Sequence, residues 1–101
     1  MDTLEILVVG AHPEILKVVL RLIHANPLWK ATGCSGVSEA KKTFFGKDFD
    51  LVLLGAGLAE DEESELTSHF KHQNPDIKVV KHYGGGSGLL FAEIYQAIQI
   101  K

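Results

Sequence analysis

The stretch FDLVLLGAGLAEDEE, Phe49–Glu63, decides how the chain is read. Leu51–Leu54 is an unbroken run of branched aliphatics, the mark of a short strand buried on both faces. It opens directly into Gly55, Ala56 and Gly57. In an open α/β sheet the reactive side chains gather in the crevice beyond the carboxyl ends of the strands. Here that position holds almost no side chain. The acidic run that follows, Glu60, Asp61, Glu62 and Glu63, suits the positive end of a helix dipole, and Lys71 and His72 suit the negative end of a helix over Glu60–His72. The run reads as a solvated helix start.

Outward from this stretch the same alternation repeats. Ile6–Val9 is a second aliphatic strand, closed by Gly10. HPEILKVVLRLIHAN follows as a helix, with Pro13 in the first turn, where its missing N–H costs nothing. Its apolar residues, Ile15, Leu16, Val18, Val19, Leu20, Leu22 and Ile23, spread over about 200° of the helical wheel, more than one sheet face needs. Trp29–Cys34 is a weaker strand. SGVSEAKKTFFGKD supplies a helix with Ser38 as its cap and Gly46 as its stop. Ile77–Val80 is the fourth strand, and after KHYGGGSG a last helix runs from about Leu89 to Ile100. The order is βαβαβαβα, with connections short enough for neighbouring parallel strands and right-handed crossovers. The expected architecture is a small doubly wound α/β sandwich of three layers, with a mainly parallel sheet of about four strands.

The 101 residues, 46% of them apolar, fit one domain over the whole chain, residues 1–101. Ten basic residues against 13 acidic ones leave a net charge of −3 and no basic stripe for a phosphate backbone, so nucleic acid is not the expected partner. The single cysteine, Cys34, excludes an internal disulfide and a multi-thiolate zinc site, which fits a reducing cytoplasm. MDTLEILVVGAH lacks the order of a secretory signal, and no apolar run approaches the roughly 20 residues that span a bilayer. A cytoplasmic protein without membrane contact is the expectation.

ILVVGAHPEILKVVLRLI, then SGVSEAKKTF, then FDLVLLGAGLAEDEESELTSHFK resembles the receiver domain of two-component response regulators, whose fold is flavodoxin-like. The resemblance covers roughly the first 80 residues. It implies an acidic pair after the first strand and an aspartate after the third, which together hold Mg²⁺ and accept a phosphoryl group. Those positions are Gly10 and Ala11, and Gly55. Phosphoryl transfer needs the carboxylate as nucleophile, and Mg²⁺ needs further carboxylates. Asp48 and Asp50 sit at the opposite end of the third strand, too far away at about 3.3 Å per residue to replace them. The resemblance also implies a lysine after a fifth strand. Either the preceding element is deleted and Lys81 is that lysine, or the fifth strand is absent; four strands and four helices are expected. The implied function is a signalling or interaction module without catalysis, acting through protein partners and taking no cofactor or metal.

Two features keep a ligand-binding alternative open. Gly84, Gly85, Gly86, Ser87 and Gly88 precede a helix, and a glycine run at a helix N-terminus can present backbone N–H groups to an anion. His12, Lys81, His82 and Tyr83 are expected at the same edge, as polar residues of a wet rim, with His12 helping to cap the first helix. The chain also resembles cobalamin-binding domains, which read D-x-H-x-x-G, S-x-L and G-G. His12, Leu58 and Gly85-Gly86 fall in place, whereas Gly10, Ile15 and Ala56 or Gly57 stand for the aspartate, the first glycine and the serine. A ligating histidine without its carboxylate is a poor ligand.

A homodimer is expected on two grounds. The wide apolar arc of the first helix leaves part of Leu16, Leu20 and Ile23 facing water, and a fourth strand without a neighbour leaves backbone groups open.

Overall fold

The computed structural model describes residues 3–55, 57–81 and 86–99. The strands are β1 (Leu4–Val9), β2 (Trp29–Cys34), β3 (Leu51–Leu54) and β4 (Lys78–Lys81), and the helices α1 (Pro13–His24), α2 (Val37–Phe45), α3 (Glu60–Gln73) and α4 (Gly86–Gln99). They form one parallel sheet in the order β2-β1-β3-β4. The expected doubly wound α/β sandwich is therefore the observed fold. β1 and β3 lie in the middle, and their aliphatic runs are buried on both faces for that reason.

Strand alternation sorts the core into two layers. Leu7, Val9, Val52 and Leu54 pack against Ala40 and Phe44 of α2 and Leu66 and Phe70 of α3. Ile6, Val8, Leu51 and Leu53 pack against Val19 and Ile23 of α1 and Leu90, Ile94 and Ala97 of α4. The last helix therefore returns to the face of α1 instead of extending the layer of α2 and α3. Among the described residues β4 pairs with β3 alone, and its other edge is open.

Several local expectations are corrected. The cap of α2 is Gly36, with no side-chain capping bond; Ser38 lies inside the helix, and Glu39 reaches back to accept the Ser35 N–H at 3.0 Å. Gly46 does end the helix. The fourth strand begins at Lys78, because the Ile77 N–H is spent on a turn, donating to the Asn74 carbonyl at 3.0 Å. In α1 the sheet side is Leu16, Val19, Leu20 and Ile23, and the exposed apolar residues are instead Ile15 (47%) and Val18 (42%). Gly33 accommodates this docking: a Cβ there would lie 2.8 Å from Leu20 Cδ1 and 3.3 Å from Leu16, so a side chain on β2 at this point would push the two leucines of α1 aside.

Candidate functional site

At the carboxyl ends of the central strands the main chain itself fills the space. The Gly10 N–H donates to the Cys34 carbonyl at 3.0 Å, and the Gly55 N–H donates to the Val9 carbonyl at 2.6 Å. Both glycines are buried, while Ala11 is exposed. A Cβ on Gly55 would stand 3.2 Å from the Val9 oxygen, so any side chain there requires the neighbouring backbone to give way.

His12 precedes α1 in extended conformation, φ −108°, but its side chain makes no capping hydrogen bond, contrary to expectation. Its ring lies over Gly57 instead. Gly57 has φ +94°, and a Cβ on it would come within 2.7 Å of His12 Cδ2 and 2.9 Å of Nε2. The loop from β3 to α3 passes beneath the imidazole because Gly57 has no side chain and tolerates positive φ. The opening into glycines thus serves close approach between two loops.

Lys81 ends β4 beside Leu54. Val79 packs with the α2–α3 layer and Val80 with the α1–α4 layer, so alternation turns Lys81 toward α3. Its Nζ stands 3.7 Å from Glu63 Oε1; the Glu63 side chain is 5% exposed and that of Lys81 51%. Glu63 is therefore no part of a solvated helix start. It shares the inward stripe of α3 with Leu66 and Phe70, and that spacing of three and then four residues was the signal in the sequence that could have placed it. Glu62 serves the helix start, accepting the Ala59 N–H at 2.8 Å; this is half a capping box, since alanine has no acceptor.

Of the glycine-rich segment, Gly86, Ser87 and Gly88 form the first turn of α4, which begins three residues before the expected Leu89. His82, Tyr83, Gly84 and Gly85 lie outside the described residues. Among the described residues no three His, Cys, Asp or Glu side chains converge as metal ligands. Cys34 is buried and donates to Thr43 Oγ1 at 3.3 Å. Burial pushes its thiol above 9.0, with Glu39 adding to the rise and the Thr43 hydrogen bond opposing it, so the thiolate is disfavoured. Asp50, at the far end of β3, is engaged with the Glu5 N–H at 2.9 Å.

No protein-family model matches the sequence, nor does any curated protein. Solved structures do match. The signal receiver domain of an HD domain-containing protein from Pseudomonas fluorescens superimposes with a TM-score of 0.84 at 17% identity, over 97% of this chain and 96% of that one. A CheY-like response regulator receiver domain protein from Methanospirillum hungatei gives a TM-score of 0.72 at 19% identity, over 95% of this chain and 76% of that one. The response regulator TrrA from Thermotoga maritima, solved with Mg²⁺ and BeF, gives 0.65 at 19% identity, over 94% and 82%. At these identities the likeness establishes the fold: this chain has the fold of response regulator receiver domains.

Proposed function

We propose that the chain is a receiver-like signalling module that works by protein contact and not by phosphoryl transfer. The observation that carries this reading is the residue set at the carboxyl ends of β1 and β3. Where the resemblance asks for three carboxylates, the chain has Gly10, Ala11 and Gly55, and the last lies against the Val9 carbonyl with little space for a side chain. A carboxylate nucleophile and a hard cation both need oxygen ligands that these positions do not supply. Lys81, at the carboxyl end of β4, is paired with Glu63. The module is not an enzyme in this reading, and it binds no cofactor.

Its partners are proteins, including a second copy of itself, in the cytoplasm; nucleic acid and membranes are not among them. A net charge of −3 supports the first exclusion, and among the described residues no helix is long and apolar enough to cross a membrane.

The experiment is incubation of the protein with acetyl phosphate and Mg²⁺, followed by mass spectrometry and by amide spectra of Gly10, Ala11 and Gly55. The expected result is an unmodified mass and unmoved amides. An acid-labile phosphoryl adduct on any aspartate or glutamate would overturn the proposal.

A further inference from the structure

At the edge of the sheet furthest from β4, a histidine occupies a backbone donor. Along β2 the even residues face β1: the Leu4 N–H donates to the Leu28 carbonyl at 2.8 Å and the Gly10 N–H to the Cys34 carbonyl at 3.0 Å. By the alternation of a parallel ladder, Trp29, Ala31 and Gly33 point their N–H and C=O groups outward. Trp29 is satisfied by its own turn, its N–H donating to the Asn26 carbonyl at 3.0 Å. The Ala31 N–H donates to Nε2 of His24 at 3.0 Å.

We propose that His24 is a proton-controlled guard on the open edge of β2. A backbone N–H can only donate, so Nε2 must present its lone pair, and the ring proton must sit on Nδ1. An imidazolium has no lone pair to offer. Protonation therefore breaks this contact outright and leaves the Ala31 N–H to solvent or to an incoming extended segment. The position follows from the packing of α1. Gly33 lets Leu20 close onto β2, and His24, one turn beyond Leu20, is thereby carried around the edge of the strand.

Charged residues lie on α1 itself and on the elements packed against it. On α1, Lys17 and Arg21 share the polar flank of His24, with Glu14 far up the same helix, and on β2 Lys30 precedes Ala31. Of the elements packed on α1, β1 carries Glu5, 3.1 Å from Lys47, and α4 carries Glu93. The hydrogen bond to Ala31 is made by the neutral ring alone.

The test is NMR on the whole chain between about pH 8 and 5, following the Ala31 amide and the His24 ring together, with Leu53 as a reference for global opening. In the unmodified protein the Ala31 amide shift should follow the ring titration. Its exchange protection, corrected for the intrinsic pH dependence, should fall about fivefold on the acid side, as expected for one exposed hydrogen bond, while Leu53 holds. In His24→Gln, whose amide oxygen accepts without titrating, both Ala31 signals should stay flat. An Ala31 amide that stays flat while His24 titrates would overturn the proposal, as would the same movement persisting in His24→Gln.

Discussion

The two ends of the sheet use their residues in opposite ways. At the amino ends of the strands, polar side chains complete the backbone: Asp50 accepts the Glu5 N–H, Lys47 reaches Glu5, Asn26 accepts the Leu28 N–H and Asn74 the Asp76 N–H. At the carboxyl ends, where a receiver-like fold is expected to keep its chemistry, Gly10, Gly55 and Gly57 bring main chain against main chain and ring. Side-chain hydrogen bonds serve the first end, whereas beyond β1 and β3 the second relies on close approach at glycines. The proposed module without phosphoryl transfer would therefore rest on the packing at this end as well as on the residue types there.

The strongest way to break this comparison is to add a side chain at the glycine end. Gly57→Val places a branched side chain at φ +94° and within 3 Å of the His12 ring, and it should cost about 2–3 kcal/mol in urea unfolding. Combining it with His12→Gly removes the ring and should recover part of the loss, leaving the backbone cost and the contact with the Ala11 Cβ at 2.9 Å. If Gly57→Val unfolds at the same urea midpoint as the parent, the ring does not lie on the loop and the contrast between the two ends disappears.

A smaller effect separates the ion pairs of the two ends. Lys81 faces a nearly buried carboxylate, whereas Glu5 and Lys47 are 22% and 49% exposed. Removing the partner of a nearly buried carboxylate costs more than removing that of a partly exposed one. Lys81→Met should therefore destabilise by about 1 kcal/mol, reduced from the fully buried case because the ammonium itself is half in water. Lys47→Met should stay within about 0.5 kcal/mol. Joining Lys81→Met to Glu63→Leu should return stability to near the parent, since a carboxylate that is no longer there needs no partner. Equal losses for the two lysines would show that Glu63 is not buried as described.

Much of this was legible in the sequence, and the parts that were not have physical reasons. Leu51–Leu54 and Ile6–Val9 declared central strands because a strand covered on both faces has no polar side to display. Four parallel strands followed from the short βα connections, but their order did not, since β1 lies between β2 and β3. Glu63 was misplaced because a carboxylate in the first turn suits both water and the dipole, and only its phase with Leu66 and Phe70 marks it as inward. The exposed flank of α1 was misassigned because a wide apolar arc does not say which part meets the sheet. That was fixed by Gly33, a residue of another element. His12 reads as a helix cap from its neighbours, and its true contact, with Gly57, is 45 residues away in sequence and has no local signature.

The smallest effect on stability, and the sharpest on assembly, is expected on the α1–α4 side. Ile15 and Val18 lie on the flank of α1 opposite His24, and on α4 Tyr95 is 48% exposed beside Trp29, the ring centroids being 5.1 Å apart. Over Leu90–Ala97 the charged residue is Glu93 alone, so a second copy presenting the same face brings little like charge, as a two-fold contact requires. Because Leu16, Val19, Leu20 and Ile23 already cover the sheet, Ile15→Glu with Val18→Glu should alter folding stability by no more than about 0.5 kcal/mol. The pair should nevertheless abolish the dimer expected from the sequence, moving the sedimentation coefficient at micromolar concentration from dimer to monomer. Leu20→Glu would not isolate the same surface, since Leu20 is seated against Gly33 and its replacement disturbs the fold. A double variant that still sediments as a dimer would move the interface to the open edge of β4. An unmodified protein that sediments as a monomer would leave Ile15, Val18 and Tyr95 as a surface for a different protein.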